Sequence, residues 1–251
     1  MENNTKKPII LRDMDGTLFD FQTPFYDRVV HCKELPLDFR TLMSEQKNRT
    51  RIKIRELFEG EAAERKKIQK IVEGLYQTEE FYAGLHLYPW LADTFHRLAR
   101  DFTNRICSAP SVANCGSESG KRTSLLRELW PHYASIKNIT FTGDKTSTRG
   151  DILIDDNATI EGDFDPSWKQ ILVDQPHNQG SPLPRLYIWE QEKLLDIIHE
   201  TLTINPTKTL STPVMQKAQH TQDEYTSNEL CEEWYGHPSW RRCTCSKCDK
   251  R

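Results

Sequence analysis

The chain has 251 residues, 36% of them hydrophobic, and a formal net charge of −3 at pH 7. This length suits one large domain or two small ones, and the apolar fraction is sufficient for a buried core. The near-neutral charge argues against a protein that holds nucleic acid through a general basic field. No apolar run approaches the roughly 20 residues of a membrane helix, and the apolar part of the N-terminal segment is too short for a signal peptide. The sequence therefore predicts a cytoplasmic protein without a membrane partner.

Short apolar runs typical of buried strands recur along the chain, and helical patterns separate most of them. They are residues 9–11, 105–107, 139–141, 152–154 and 171–173. Strands that alternate with helices form a parallel sheet whose two faces are covered by helices. The predicted fold is therefore a doubly wound α/β domain with a Rossmann-like core.

The segment between the first two predicted strands has a different pattern. Residues 22–86 contain long charged stretches, such as RTRIKIRELFEGEAAERKKIQKIVEGLYQ, in which apolar residues recur at helical spacing. No strand pattern is present there, so we predict an all-helical insertion. The α/β core then comprises residues 1–21 and 87–203.

Three helices are predicted in the second part of this core. Periodic patterns place them at residues 88–102, 119–130 and 186–202, with Ser119 as the N-cap candidate of the second. Residues 204–229 are rich in Thr, Gln, Ser and Pro and show no period, which predicts a linker.

Four cysteines crowd into the last segment, residues 230–251, which is not typical of a disulfide framework. They are Cys231, Cys243, Cys245 and Cys248. With His237 they would supply enough soft ligands for one tetrahedral Zn²⁺. The spacing matches no standard zinc finger, so a zinc knuckle and a tail of reduced thiols are left as equal alternatives. A zinc-bound tail, with its neighbouring Trp and Arg residues, would suit a single nucleic-acid strand or a protein partner.

Two carboxylate pairs stand where predicted strands end. Asp13 and Asp15 follow the first strand, and side chains two residues apart in extended backbone point the same way. Asp155 and Asp156 end the strand that begins at residue 152. Ligands bind outside the carboxyl ends of parallel strands, so the two pairs are expected to converge. Adjacent carboxylates repel unless a cation offsets the repulsion, and hard oxygen ligands favour Mg²⁺.

A hydroxyl and an amine complete this pattern. Ser108 ends the second strand, and Lys145 follows the third. Taken singly, each feature is more often a solvated turn, a strand terminus or a surface charge. The joint order Asp-x-Asp-Gly-Thr, Ser, Lys, Asp-Asp, with every group except the lysine directly at a strand end, favours a functional site.

In these four motifs the chain resembles the haloacid dehalogenase superfamily of phosphotransferases. The stretches DMDGTLFDF, ICSAP, DKTSTRGDILIDD, PSWKQILV and HNQ also resemble, in the same order, those of the 5′(3′)-deoxyribonucleotidases. The resemblance covers roughly residues 8–202 and is weakest in the helical insertion. It implies a Mg²⁺-dependent phosphatase that releases phosphate from nucleoside monophosphates, and deoxyribonucleotides in particular.

The resemblance also implies roles for individual residues. Asp13 would attack phosphorus and form an aspartyl-phosphate, while Asp15 would act first as general acid and then as general base. Ser108 and Lys145 would stabilise charge on the phosphate oxygens.

Mg²⁺ would be held by Asp13, Asp155 and the backbone carbonyl of Asp15, with Asp156 supporting a metal-bound water. The helical insertion would be a cap that closes over the site and selects substrate. Phe21 stands where relatives place an aromatic ring against the nucleobase, although a core phenylalanine is an equally good interpretation.

The sequence departs from the nucleotidase pattern at positions expected to contact phosphate. Ala109 and Val112 replace a hydroxyl residue and a lysine, and Gly143 stands where relatives tend to have an arginine. Substrate preference is therefore not carried over directly. Lys121 or Arg122 could compensate, but the expected position of both is a solvated helix start.

Other functions are compatible with parts of this pattern. A related phosphatase could act on nucleic-acid 3′-phosphate ends or on a phosphosugar, and a zinc-dependent binding protein could use the core as an inactive scaffold. A response-regulator receiver is disfavoured, because its lysine follows the hydroxyl on the last strand and no Asp-Asp pair comes after it. These nucleotidases often pair, but the sequence does not require a homodimer.

Overall fold

The structure is a computed structural model of the chain. It describes residues 6–44, 60–89, 94, 98–110, 116–129, 138–187 and 193–203. The linker and Cys-rich tail predicted after residue 203 lie outside the described residues, as does Val112. Within the described ranges, no helix has both the length and the apolar character needed to cross a membrane.

Six strands form one parallel sheet. They are β1 (Ile9–Arg12), β2 (Thr103–Ser108), β3 (Ile139–Phe141), β4 (Ile152–Asp155), β5 (Lys169–Val173) and β6 (Arg185–Leu186). Their spatial order is β3-β2-β1-β4-β5-β6, so β1 lies at the centre between β2 and β4. Every residue of β1 and β4 is buried, as expected for strands covered on both faces. The predicted parallel α/β fold is confirmed.

Of the six helices whose bounds fall in the described part of the chain, four lie between β1 and β2, in the segment predicted to be a helical insertion. The helices are α1 (Gln22–His31), α2 (Leu37–Leu42), α3 (Ala62–Tyr76), α4 (Glu79–Ala83), α5 (Gly116–Leu129) and α6 (Leu194–Thr203). Helices α1 to α5 share one hydrophobic cluster, whereas α6 packs with β1, β4 and β5 in another. Gly120 permits close contact between α4 and α5, because a Cβ there would lie 2.3 Å from the backbone oxygen of Glu79. The strand residues in the cluster of the inserted helices come from β2 and β3, namely Ile106, Ile139 and Phe141, and Met14 just beyond β1 joins them.

Two predictions about helix boundaries were wrong. Helix α5 begins at Gly116, so Ser119 lies inside the helix, and its hydroxyl donates to Oε1 of Glu79 at 2.7 Å rather than capping the helix. The last helix has the bounds Leu194–Thr203, with residues 188–192 outside the described residues, and Leu186 instead pairs with Val173 in β6. A two-residue strand is too short to show an alternating pattern in the sequence. Seven of the fifteen residues of the helix predicted at residues 88–102, namely 90–93 and 95–97, lie outside the described residues.

Candidate active site

The central strands bring the two carboxylate pairs together. The backbone N–H of Asp13 donates to the carbonyl of Ile154 at 2.9 Å, which extends the β1–β4 pairing by one step. Asp155 is the last residue of β4, so its side chain leaves the same edge of the sheet. Carboxylate oxygens of Asp13, Asp155 and Asp156 lie within 4.8 Å of one another. The pairing of β1 with β4 thus brings three carboxyl groups together.

Lys145 lies among these carboxylates. Its Nζ donates to Oδ1 of Asp13 at 2.7 Å and to Oδ2 of Asp155 at 2.6 Å. The lysine begins a 3-10 turn that is capped by Asp144, whose Oδ1 accepts from the backbone N–H of Thr146 at 2.8 Å. Burial disfavours the charged amine, but the two carboxylates outweigh burial and raise the pKa of Lys145. Lys145 therefore stays cationic.

One ammonium group does not balance three carboxylates. Burial, and then repulsion from Asp13, raise the pKa of Asp155 to about 7, although Lys145 acts in the opposite direction. Crowded carboxylate oxygens with excess negative charge are a donor set that suits Mg²⁺. The residues present therefore fit a divalent cation.

Asp156 belongs to the same cluster of carboxylates as Asp13 and Asp155. Its Oδ2 lies 3.2 Å from Nε2 of His177, and its backbone carbonyl accepts from Nδ2 of Asn178 at 2.8 Å. Gly16 makes room for the carboxylate, because a Cβ at this position would lie 2.5 Å from Oδ2 of Asp156. The φ of Gly16 is 73°, a backbone conformation that favours glycine.

Asp15 and Ser108 are linked by a lysine that the sequence analysis placed in solvent. Nζ of Lys121 lies 2.7 Å from Oδ2 of Asp15 and 3.2 Å from Oγ of Ser108, and it donates to the carbonyl of Ala109 at 2.7 Å. Because α5 begins at Gly116, Lys121 lies in its second turn and is buried. The expectation of a solvated helix start was wrong for Lys121.

Arg122, the next residue, is half-buried, and its guanidinium lies 5.2 Å from the centre of the Phe141 ring. It pairs with Glu118 at 3.0 Å, one turn earlier on the helix. The signal that could have separated the two residues is the buried stripe of α5, which contains Ser117, Lys121 and Leu125 at a spacing of four residues.

Burial also acts on Asp15. It raises the pKa of the Asp15 carboxyl above its usual range, Asp13 adds to this effect, and Lys121 opposes it. A carboxyl that favours its protonated form can donate a proton at neutral pH, as a general acid must. The environment of Asp15 therefore agrees with the chemistry expected of it.

These groups line one cavity of about 490 Å³. All the strand-end residues named in the sequence analysis reach it: Asp13, Asp15, Ser108, Lys145, Asp155 and Asp156. Phe21 lines it too, while its ring also contacts Phe25 and Phe81 at centroid distances of 5.4 and 5.3 Å. Phe21 is thus both a core residue and part of the cavity wall, so its two interpretations are compatible.

One face of α3, which was not predicted to be part of the site, completes the wall. It carries Gln69, Val72, Glu73 and Tyr76. Their spacing of three, four and seven residues is that of a helix stripe. The stripe was visible in the sequence, but the pattern does not show what the stripe faces.

Comparison with known proteins identifies the family. No family model matches the chain. A Bordetella bronchiseptica protein named as a candidate 5′(3′)-deoxyribonucleotidase is 33% identical over 184 residues, which cover 71% of this chain and 90% of the relative. The chain belongs to the 5′(3′)-deoxyribonucleotidase family. The human cytosolic-type 5′(3′)-deoxyribonucleotidase is 29% identical over 192 residues, covering 72% of this chain and 88% of the human protein.

A solved structure of a haloacid dehalogenase hydrolase from Entamoeba histolytica is also similar. It covers 76% of this chain and 99% of its own, with 17% identity and a TM-score of 0.41. This deoxyribonucleotidase-family protein is a phosphatase, as the resemblance of its motifs predicted.

The crowded carboxylates of this deoxyribonucleotidase-family protein give a pH-dependent prediction. An acid whose pKa is raised on folding contributes stability at low pH that is lost as the pH rises through the folded-state value, here about 7 for Asp155. Mg²⁺ competes with the proton for the same oxygens. We therefore expect metal-free protein to lose stability between about pH 5 and about pH 8, and Mg²⁺ to raise the Tm more at the higher pH.

Thermal melts at both pH values, with Mg²⁺ and with EDTA, measure this effect. Asp155→Asn is the control, because it removes the titrating group and should flatten the pH dependence of the Tm in EDTA. An equal Tm shift at both pH values in the unsubstituted protein would contradict the prediction.

Proposed function

We propose that the protein hydrolyses nucleoside monophosphates, deoxyribonucleotides above all, to nucleoside and phosphate in a Mg²⁺-dependent reaction. The observation that carries this proposal is that charged groups suited to binding phosphate and aromatic rings suited to stacking with a base line one cavity. Carboxylates and lysines lie at the sheet edge, and the rings of Phe21, Tyr76 and Tyr82 line the same space. Aromatic walls with a few placed polar groups are typical of sites for nucleotide-sized ligands.

The reaction begins with attack by an oxygen of Asp13 on phosphorus. The bond from phosphorus to the ester oxygen breaks, and the leaving oxygen takes the proton of Asp15, which leaves an aspartyl-phosphate on Asp13. Asp15, now ionised, accepts a proton from water as that water attacks phosphorus. The Asp13–phosphorus bond then breaks, and phosphate leaves with the Asp13 carboxylate restored.

Cationic and hydroxyl groups surround the transferred phosphoryl group. Lys145, beside Asp13, and the hydroxyl of Ser108 would donate to its oxygens, and Lys121, beside Asp15, would add positive charge. Mg²⁺, held by oxygens of Asp13, Asp155 and Asp156, would supply further neutralisation of the phosphate charge. Phosphoryl transfer depends chiefly on such positioning and charge stabilisation.

Lys121 compensates for the phosphate contacts that Ala109 and Gly143 do not provide. Its amine reaches both Asp15 and Ser108, so it holds the general acid beside a phosphate ligand. Because Nζ uses a lone pair of the serine oxygen, the hydroxyl proton of Ser108 stays available to a phosphate oxygen.

We expect Lys121→Met to lower kcat/KM by about 100-fold, comparable to the loss of one transition-state donor. Because Lys121 opposes the raised pKa of Asp15, its removal should also move the alkaline limb of the pH–rate profile to higher pH. Arg122→Met is the matched control, since Arg122 neighbours Lys121 but pairs outside the cavity. Steady-state kinetics across pH measure both effects. An unshifted alkaline limb in Lys121→Met would refute the link to Asp15.

The inserted helices are proposed to act as a substrate-selecting cap. Both α1 and α3 contribute residues to the cavity, namely Gln22 from the first and the stripe from Gln69 to Tyr76 from the second. Cavity residues that come from these helices, and not from the strand ends, can differ between related proteins without any change in the catalytic residues.

Phosphate release tests the proposed function. The substrates are ribo- and deoxyribonucleoside 5′- and 3′-monophosphates, sugar phosphates and a 3′-phosphorylated oligonucleotide, each with Mg²⁺ and with EDTA. Turnover of mononucleotides that EDTA abolishes is the expected result. Activity confined to the oligonucleotide or to sugar phosphates would replace the proposed substrate class, and no turnover of any phosphate ester would refute the reaction itself.

A further inference from the structure

We propose that Glu73, oriented by Gln69, makes this site selective for guanine nucleotides. The inference rests on the proposed function and specifies its substrate. It concerns a polar pair on the inserted helix α3, at the cavity wall that the strand-end chemistry does not use.

The pair is built on consecutive turns of α3. Nε2 of Gln69 donates to Oε1 of Glu73 at 2.6 Å, a short hydrogen bond between residues four apart on the helix. Both side chains are half-buried, and both line the same cavity as Asp13 and Lys145. The hydrogen bond fixes the direction of the carboxylate before any ligand binds.

Glu73 is not neutralised by a cation within the part of the chain that the structure describes. The guanidinium of Arg28 also contacts α3, but it donates to the carbonyl of Leu75 at 2.6 Å and lies 4.9 Å above the ring of Phe81. A half-buried carboxylate without a cation is unfavourable unless a ligand supplies hydrogen-bond donors. Glu73 therefore presents acceptor capacity to the cavity.

Aromatic rings next to the pair provide a surface for a planar ligand. Tyr76 follows Glu73 by one turn on the same face of α3, and its ring lies 5.6 Å from that of Phe21 at an interplanar angle of 77°. A base that stacks on either ring presents its edge, not its face, to neighbouring polar groups. The groups that read this edge determine which base is accepted.

The chemistry of the pair favours one base. A carboxylate offers two acceptors side by side, and Gln69 adds its amide oxygen. Guanine presents two adjacent donors on its Watson–Crick edge, N1–H and the N2 amino group, which match a carboxylate with two charge-assisted hydrogen bonds. Adenine, cytosine, thymine and uracil each place an acceptor beside their donor, and that acceptor would face the carboxylate unpaired. The site therefore selects guanine in two ways: hydrogen bonds favour guanine, and an unpaired acceptor disfavours each of the other bases.

The test compares kcat/KM for dGMP, dIMP, dAMP, dCMP and dTMP in the unsubstituted protein and in Glu73→Gln. We expect the unsubstituted protein to prefer dGMP by about 100-fold over dAMP, dCMP and dTMP. dIMP, which lacks the N2 amino group, should fall in between. Glu73→Gln should lose at least about 10-fold on dGMP and little on dTMP, because glutamine replaces one acceptor with a donor.

Two controls isolate the effect. Glu64→Gln makes the same substitution at an exposed position of α3 outside the cavity and should leave every rate unchanged. Each nucleotide rate is divided by the rate with p-nitrophenyl phosphate, which has neither base nor sugar, so that any general loss of phosphate chemistry in a variant cancels.

The outcomes separate this inference from the proposed function. Hydrolysis of mononucleotides without a preference for dGMP, or with a preference that survives Glu73→Gln, would overturn the role of Glu73 and leave the nucleotidase reaction intact. A loss in Glu73→Gln that is confined to ribonucleotides, whatever their base, would assign Glu73 to the sugar and also overturn it. Hydrolysis of p-nitrophenyl phosphate without any mononucleotide turnover would instead refute the proposed substrate class.

Discussion

Asp13→Asn is expected to lower phosphatase activity by at least about 1000-fold, because the amide cannot serve as the nucleophile that accepts the phosphoryl group. The fold should survive, since the substitution keeps the shape of the side chain and leaves the backbone bond from Asp13 to Ile154 in place. Phosphate release under saturating Mg²⁺ measures the activity, and thermal melts measure the stability.

The decisive comparison is with Asp20→Asn. Asp20 also carries a carboxylate after β1, but it accepts a hydrogen bond from the backbone of Thr23 at 3.0 Å and does not line the cavity. Its substitution should leave the rate unchanged. Acid quenching during turnover of a substrate with a labelled phosphate should trap phosphorylated protein. The absence of that label from Asp13→Asn would support the aspartyl-phosphate. Residual activity above about one tenth in Asp13→Asn would require another nucleophile.

Lys145→Met should affect stability and activity together. The ammonium group lies between Asp13 and Asp155, so its loss leaves buried carboxylates without their counterion. Removing one partner of a buried ion pair typically lowers the free energy of unfolding by about 3 kcal/mol or more, and we expect a loss of this size in EDTA. The loss of a donor to the transferred phosphoryl group should also lower kcat by about 100-fold.

Mg²⁺ separates these two effects of Lys145→Met. A divalent cation can replace the missing positive charge, so Mg²⁺ should raise the Tm of the variant more than that of the unsubstituted protein, while activity stays low. Lys169→Met provides the control, because Lys169 donates to the carbonyl of Thr201 at 2.9 Å and does not line the cavity. It should show no extra response to Mg²⁺. Full recovery of activity in Lys145→Met on adding Mg²⁺ would argue against a role in phosphoryl transfer.

The strand-end residues could be predicted from the sequence because each is marked by the residues directly before it in the chain. An apolar run ends where Asp13 begins, and a second run ends at Asp155. In a parallel sheet the carboxyl ends of neighbouring strands share one edge, so chain direction and hydrophobic pattern suffice to place both carboxylates there. No knowledge of side-chain packing is needed for that step.

Other features depended on boundaries that the pattern did not show. The position of Lys121 changed from solvent to cavity once α5 was seen to begin at Gly116, three residues before the predicted cap at Ser119. A shift of three residues leaves the periodicity of a helix almost unchanged, so hydrophobic spacing does not detect it. Leu186 was assigned to a helix because β6 contributes only two residues.

By itself, the sequence determined the fold class, the family and the set of residues at the strand ends. Only the tertiary structure decided that Lys121 contacts Asp15, and that Glu73 and Gln69 face the cavity rather than solvent. The physical reason is that a sequence shows which residues share one face of a helix, but not where that face points. A helical period of 3.6 residues identifies a face, but the packing of that helix against the rest of the chain determines what the face contacts.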